Sequence, residues 1–130
     1  MKKPFALLLS KACLLLLFVL TTKESLATNY YVKIGGSDAA AGTDWATAFA
    51  TVQKALSVAT SGDQIWVAAG TYYPDEGGSH VANSPDESFR ISYDNVQIYG
   101  GFAATETLRT QRMPSVHLTI LSGDIDGNDT

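Results

Sequence analysis

The chain has almost no cysteine, little positive charge beyond its first residues, and no apolar run long enough to span a bilayer. Its one cysteine, Cys13, lies inside the apolar N-terminal stretch. No disulfide can therefore form downstream, and a lipid-modified cysteine, which would have to follow the apolar run, is excluded. Of the nine Lys and Arg residues, Lys2, Lys3, Lys11 and Lys23 precede Thr28. That leaves five, against 12 acidic residues once Glu24 is taken from the 13, so the net charge from Thr28 onward is −7 with both histidines neutral. Such a balance argues against nucleic acid as a partner, because neutralising phosphates dominates that affinity. It is compatible with cation binding or simply with solubility. A Gly-rich phosphate loop and a serine-nucleophile motif are also missing.

What the N-terminus does contain is an export pattern. Lys2 and Lys3 give a positive start, Phe5 to Leu9 and Ala12 to Leu20 form an apolar stretch broken by Ser10-Lys11, and Thr21-Thr22-Lys23-Glu24 ends it. Ser25-Leu26-Ala27 then places small residues where a signal peptidase reads them. The uninterrupted apolar run falls short of the roughly 20 residues a membrane helix needs. Residues 1–27 thus read as a cleavable signal peptide. Residues 28–130 read as the mature part, secreted or held at the outer cell surface, with no transmembrane helix.

Along the mature part, Tyr30-Tyr31-Val32-Lys33-Ile34 has the composition of a strand, and Gly35-Gly36-Ser37-Asp38 stops it. Phe49, Val52, Leu56 and Ala59 share a helical face, with Asp44 or Thr47 as the candidate N-cap and Ser61-Gly62 as the end. The period then becomes alternating. Ile65-Trp66-Val67-Ala68-Ala69-Gly70, Val96-Gln97-Ile98-Tyr99-Gly100-Gly101 and Leu118-Thr119-Ile120-Leu121-Ser122-Gly123 superimpose without a gap as apolar, any, apolar, any, small, Gly. Between the first two, Pro74 to Glu87 is polar, rich in turn formers, and reads as an exposed loop.

Repeats at such separations suggest a solenoid in which each unit buries its apolar face only by stacking on its neighbours. The expected fold is all-β: the first coils of a right-handed parallel β-helix with an N-terminal capping α-helix. The pairs Ile65/Val67, Val96/Ile98 and Leu118/Ile120 would be consecutive rungs of one interior. A β-sandwich with three similar strands is the other reading of the periodicity, and the helix before the first repeat favours the solenoid, whose open end needs a cover. No closing cap follows the third repeat, so the domain is expected to be incomplete. Made alone, it should unfold non-cooperatively or aggregate through its open edge.

Taken together, Asp44-Trp45-Ala46-Thr47-Ala48-Phe49, Gly70-Thr71-Tyr72-Tyr73-Pro74, Ile98-Tyr99-Gly100-Gly101-Phe102 and Leu121-Ser122-Gly123-Asp124-Ile125-Asp126-Gly127-Asn128 resemble the N-terminal region of secreted right-handed parallel β-helix proteins of the pectin-lyase-like superfamily, including adhesin-like surface proteins of Bacteroidetes. The resemblance implies that the helix caps the first coil and that Trp45 and Phe49 help seal it. It also implies a glycine two residues after Phe102, where this chain has Ala104.

Candidate site residues each carry two readings. Asp124, Asp126, Asn128 and Asp129 crowd oxygen ligands of the kind calcium favours, without the spacing of an EF-hand loop; they equally suit a plain Asx-rich turn. Trp66, Tyr72, Tyr73 and Tyr99 could stack on sugar rings or pack between coils. Arg90, Arg109, Arg112, His80 and His117 are the groups a polysaccharide lyase could use, but none has a sequence partner that fixes a catalytic geometry. Arg109 reads as half of an ion pair with Glu106, and His80 as a solvated loop residue. No catalytic residue is assigned. The expected function is an extracellular structural or adhesive segment presenting a surface to polysaccharide or to surface proteins. The alternative is the N-terminal cap of a polysaccharide lyase or glycoside hydrolase whose catalytic coils lie beyond residue 130.

Overall fold

A computed structural model of the chain describes residues 26–128; the signal peptide expected over 1–27 lies almost wholly outside them. The regular structure of the described part is mostly strand, in two short parallel sheets, with one short helix. In chain order the elements are β1 (Asn29–Val32), α1 (Val52–Val58), β2 (Gln64–Ala68), β3 (Gly70–Tyr72), β4 (Gln97–Phe102), a 3-10 turn (Arg109–Gln111) and β5 (Thr119–Leu121). Among the described residues no helix is long and apolar enough to cross a membrane.

The first sheet has the order β1-β2-β4 and the second pairs β3 with β5, all parallel. Register is held from strand to strand up to Trp66, after which β2 and β4 shift so that Ala68 meets Phe102: Tyr30 lies beside Ile65 and Ile65 beside Ile98, while Tyr31 lies beside Trp66 and Trp66 beside Tyr99. Because side chains alternate across a strand, the residues at each level share a face. Val32, Ile65 and Val67 point into a core completed by Phe49, the Val52, Ala55 and Leu56 face of α1, Ala59 and Tyr72. Burying such side chains contributes about 1.5–3 kcal/mol each. The phenol of Tyr72 sits deep in this core and donates to the Ala68 carbonyl at 3.0 Å.

One free edge of the first sheet is covered by the chain itself. Tyr31 N donates to Gly42 O, Phe49 N to Tyr31 O and Lys33 N to Phe49 O, so residues 42–49 satisfy the outer edge of β1. Phe49 forms a parallel bridge with Val32 and closes the core there. Asp38 organises this cover. Its Oδ1 accepts from Ala50 N and Thr51 N, and its Oδ2 from Thr51 Oγ1 at 2.8 Å.

Two expectations need correction. The helix does not begin at Asp44 or Thr47. Thr51 is its N-cap, accepting from Lys54 N at 3.1 Å, and Asp44 instead closes a turn by accepting from Thr47 N. Phe49 and Ala59 are buried as the periodicity implies, but flank a shorter helix. The third repeat is not a rung of the first sheet either. Thr119–Leu121 pairs with β3 in the second sheet, and Leu118 and Ile120 are 63% and 42% exposed. Its place in the first sheet is taken by β1, whose aromatic composition hides it from the apolar template. The template marks any strand that ends at a sharp turn, so it cannot say which sheet the strand joins.

At the corner after β4 the backbone leaves no room for side chains. A Cβ at Gly100 would lie 2.7 Å from that of Thr119, and one at Gly101 2.7 Å from Pro114. Thr119 ties the corner together: its hydroxyl lies 3.2 and 3.1 Å from the carbonyls of Val67 and Ala68 and accepts from Gly101 N at 3.0 Å.

Ala104, where the resemblance implies glycine, has φ +67°. The left-handed region costs a non-glycine residue roughly 1–2 kcal/mol, of which the greater freedom of an unfolded glycine takes back about 0.4–1. Ala104→Gly should therefore stabilise the protein by about 0.5–1 kcal/mol, read as a raised midpoint in denaturant; a lowered midpoint would show that the turn is not strained. Asp63 is buried and accepts from Thr28 N, Thr60 N and the Thr60 hydroxyl. Burial works against its charge, but the three donors outweigh it and hold the carboxyl below its ordinary 3.8. A depressed carboxyl stabilises the fold above that value, and the contribution is lost as pH falls through the folded-state value. Asp63→Asn should cost about 1–3 kcal/mol near neutrality and flatten the acid limb of the stability profile. An unchanged acid limb would contradict this.

Candidate functional site

The stretch between β3 and β4 has no regular structure and lies against α1. Loops of this length within compact folds are uncommon, and are usually either functional or linker segments. Two adjoining cavities separate it from the helix. One, of about 320 Å³, is lined by Gln53, Leu56, Ser57, His80, Asp86, Glu87, Ser88, Arg90 and Ser92. The other, of about 270 Å³, shares Gln53, Ser57 and His80 and adds Asp38, Thr51, Lys54 and Gly77 to Ser79.

The loop is held by polar clasps. Gln53, buried on α1, donates its side-chain amide to the carbonyls of Pro74 and Ser88, drawing both arms of the loop to the helix. Asn83 N donates to Asp75 Oδ2 at 2.8 Å. His80 Nδ1 lies 2.5 Å from Glu87 Oε2, and Glu87 Oε1 accepts from Val81 N at 3.0 Å. The hydrogen bond to His80 and then that from Val81 hold the Glu87 carboxyl below its usual range. His80 is thus not a free solvated side chain. It is oriented by a carboxylate, and its ring borders both cavities. A carboxylate-held imidazole can accept or pass a proton, but no Ser, Thr or Cys side chain hydrogen-bonds to it among the described residues.

A second group of chemistry-bearing residues lies on the outer face of the first sheet. Tyr31, Trp66 and Tyr99 form a column there. Trp66 is only 3% exposed: Phe102 stacks on it at 4.9 Å, Tyr31 meets it edge-on at 5.3 Å, and Trp45 packs on Tyr31 and Phe102. Trp66 and Tyr72 therefore serve packing and offer no platform to a sugar. Tyr99 differs, because the guanidinium carbons of Arg109 and Arg112 lie 4.7 and 5.4 Å from its ring centre. Glu106 is not the partner of Arg109. Burial opposes its charge, but its oxygens accept from Ala103 N and Thr105 N, which hold its carboxyl below the usual range.

Of the other candidates, Arg90 lines the larger cavity, Tyr73 is half-buried, and His117 lies close enough to Glu106 to favour its charge. In the acidic turn, Asn128 donates to Asp126, Asp124 Oδ1 is buried without a hydrogen-bond partner, and Asp129 lies outside the described residues. Among the described residues, no three His, Cys, Asp or Glu side chains come together to hold a metal ion. Gln53 and Glu87 escaped the sequence reading. A lone polar residue beside an apolar helical face, and a glutamate seven positions after a loop histidine, carry no periodic signal.

The chain belongs to the DUF1565 family, described as proteins of unknown function, whose model matches residues 34–127. The match takes in α1, the cavity loop and both arginines on Tyr99. No curated protein and no solved structure matches the chain.

Glu87→Gln should release the loop from His80. Amide exchange across residues 75–92 is expected to speed up by roughly three- to ten-fold with little change in exchange from β2. In the parent protein the same loosening should set in as pH falls through the titration of Glu87, since a depressed carboxyl acts only while charged. Loop exchange unaffected by both the substitution and pH would remove the clasp.

Proposed function

We propose that this chain forms the opening coils of a right-handed parallel β-helix, exported to the cell surface or the medium, that acts as a structural or adhesive segment presenting its flanks to polysaccharide or to surface proteins. The observation that carries the reading is the register of the first sheet. The chain returns to it in parallel twice, from Asn29 to Gln64 and from Gln64 to Gln97, and a single residue separates the end of β2 from the start of the second sheet. Parallel returns of this kind are right-handed in nearly all folds. A surface built by stacking is long and regular, which suits attachment better than enclosure of a small substrate.

A second reading, the N-terminal cap of a polysaccharide lyase or glycoside hydrolase, is favoured by one feature, the carboxylate-held His80 beside two cavities. Scaffold alone does not choose between the two, since sites are grafted onto folds. Incubating the full chain with a panel of plant and bacterial wall polysaccharides separates them. The structural reading expects retention on at least one polymer with no shortened or unsaturated products. Release of such products, abolished by His80→Ala, would replace it with the enzymatic one.

A further inference from the structure

We infer that Arg109 and Arg112, set against Tyr99 at the outer corner of β4, form a binding site for the acidic groups of a polysaccharide. The inference rests on the carbohydrate-presenting reading above and assigns it a place and a charge.

Five Lys and Arg side chains follow Thr28, and among the described residues none forms an ion pair; the one salt-bridge contact is His80–Glu87. In a chain with 12 acidic residues beyond the signal region, cations have ample choice of internal partners. Yet two of the five converge on a single ring, where each raises the potential felt by the other. Glu106, the carboxylate within the same loop, is turned back onto Ala103 N and Thr105 N. The chain thus assembles paired positive charge and supplies no counter-charge to it.

The pair is also pre-ordered. Arg109 Nη1 donates to the Tyr99 hydroxyl at 2.9 Å, which in turn donates to Gln97 Oε1 at 2.6 Å, and Arg112 Nη1 donates to the Gly100 carbonyl at 3.2 Å. Gln111, between them in sequence, fixes the turn by accepting from Thr107 N and Leu108 N, both at 2.9 Å. Packing against a ring uses the face of a guanidinium and leaves its edge, with several N–H donors, open to a carboxylate or sulfate. Less side-chain freedom is then lost on binding. Of the aromatic column, Trp66 is buried under Phe102 and Tyr31 carries Trp45, whereas half-buried Tyr99 carries the two arginines. Two cations on an otherwise acidic protein suit sparsely charged sugar units better than nucleic acid, which demands many phosphate contacts.

The test is titration of the full chain with polygalacturonate, dextran sulfate and neutral dextran at low and moderate salt. The acidic polymers are expected to bind and to weaken with salt, the preference between the first two telling carboxylate from sulfate. Arg109→Gln/Arg112→Gln should weaken binding at least ten-fold, and Arg109→Lys/Arg112→Lys should fall between it and the parent. The Tyr99 ring resonances of the unmodified protein should shift on titration, a readout that needs no folded variant. Acidic polymer bound equally by the Gln variant, a silent Tyr99 ring, or preference for neutral dextran would overturn this site while leaving surface presentation in place. Failure to bind any polysaccharide in the wider panel would remove both.

Discussion

The fold rests on parallel pairing between segments that are far apart in sequence. Among the described residues no strand exceeds six residues, and every strand pairs with one more than 30 residues away in the chain. Each row of backbone donors and acceptors must therefore wait for a stretch more than 30 residues away. Isolated short strands do not hold together, so stability has to come from packing, with Ile65 and Val67 buried among Val32, Phe49, the inner face of α1 and Tyr72. Thr119 shows the principle at a corner, where one hydroxyl joins the carbonyls of β2 to an amide of β4. The loops vary in length because little constrains them beyond returning the chain to its level.

Much of this was legible in the residues. β2 and β4 announce themselves by alternation and a terminal glycine, and the family of Phe49, Val52, Leu56 and Ala59 marks the face of α1. The errors have a common origin. Alternation reports that a strand has two faces, whereas membership of a sheet is decided by backbone partners that leave no trace in side-chain pattern. Leu118 and Ile120 satisfied the template yet lie at the exposed rim of the second sheet, while β1, with Tyr30 and Tyr31 on opposite faces, failed it and belongs to the first. The helix start was misplaced because Asp44 is a good N-cap in isolation; the actual cap, Thr51, is selected by Asp38, 13 residues earlier.

The candidate sites were less legible still. Tyr99 and the two arginines could each be singled out, but their meeting depends on a turn whose geometry is set by Gln111 and by the lack of space at Gly100 and Gly101. His80 acquires meaning only through Glu87, and the cavities it borders exist because Gln53 draws two distant carbonyls to one helix. These are polar contacts between irregular segments, and irregular segments have no period to read.

Tyr72 carries a consequence for the protein under alkali. Its phenol is enclosed by the core and donates to Ala68, and burial pushes its pKa up to about 12 from the ordinary 10.0. An acid that ionises later in the folded than in the unfolded chain favours folding below its ordinary value and withdraws that support as pH climbs toward the folded one. Once ionised, the phenolate can no longer donate to Ala68 and leaves a charge among apolar neighbours. Strong base thus loosens the molecule from its core outward, through this one tyrosine.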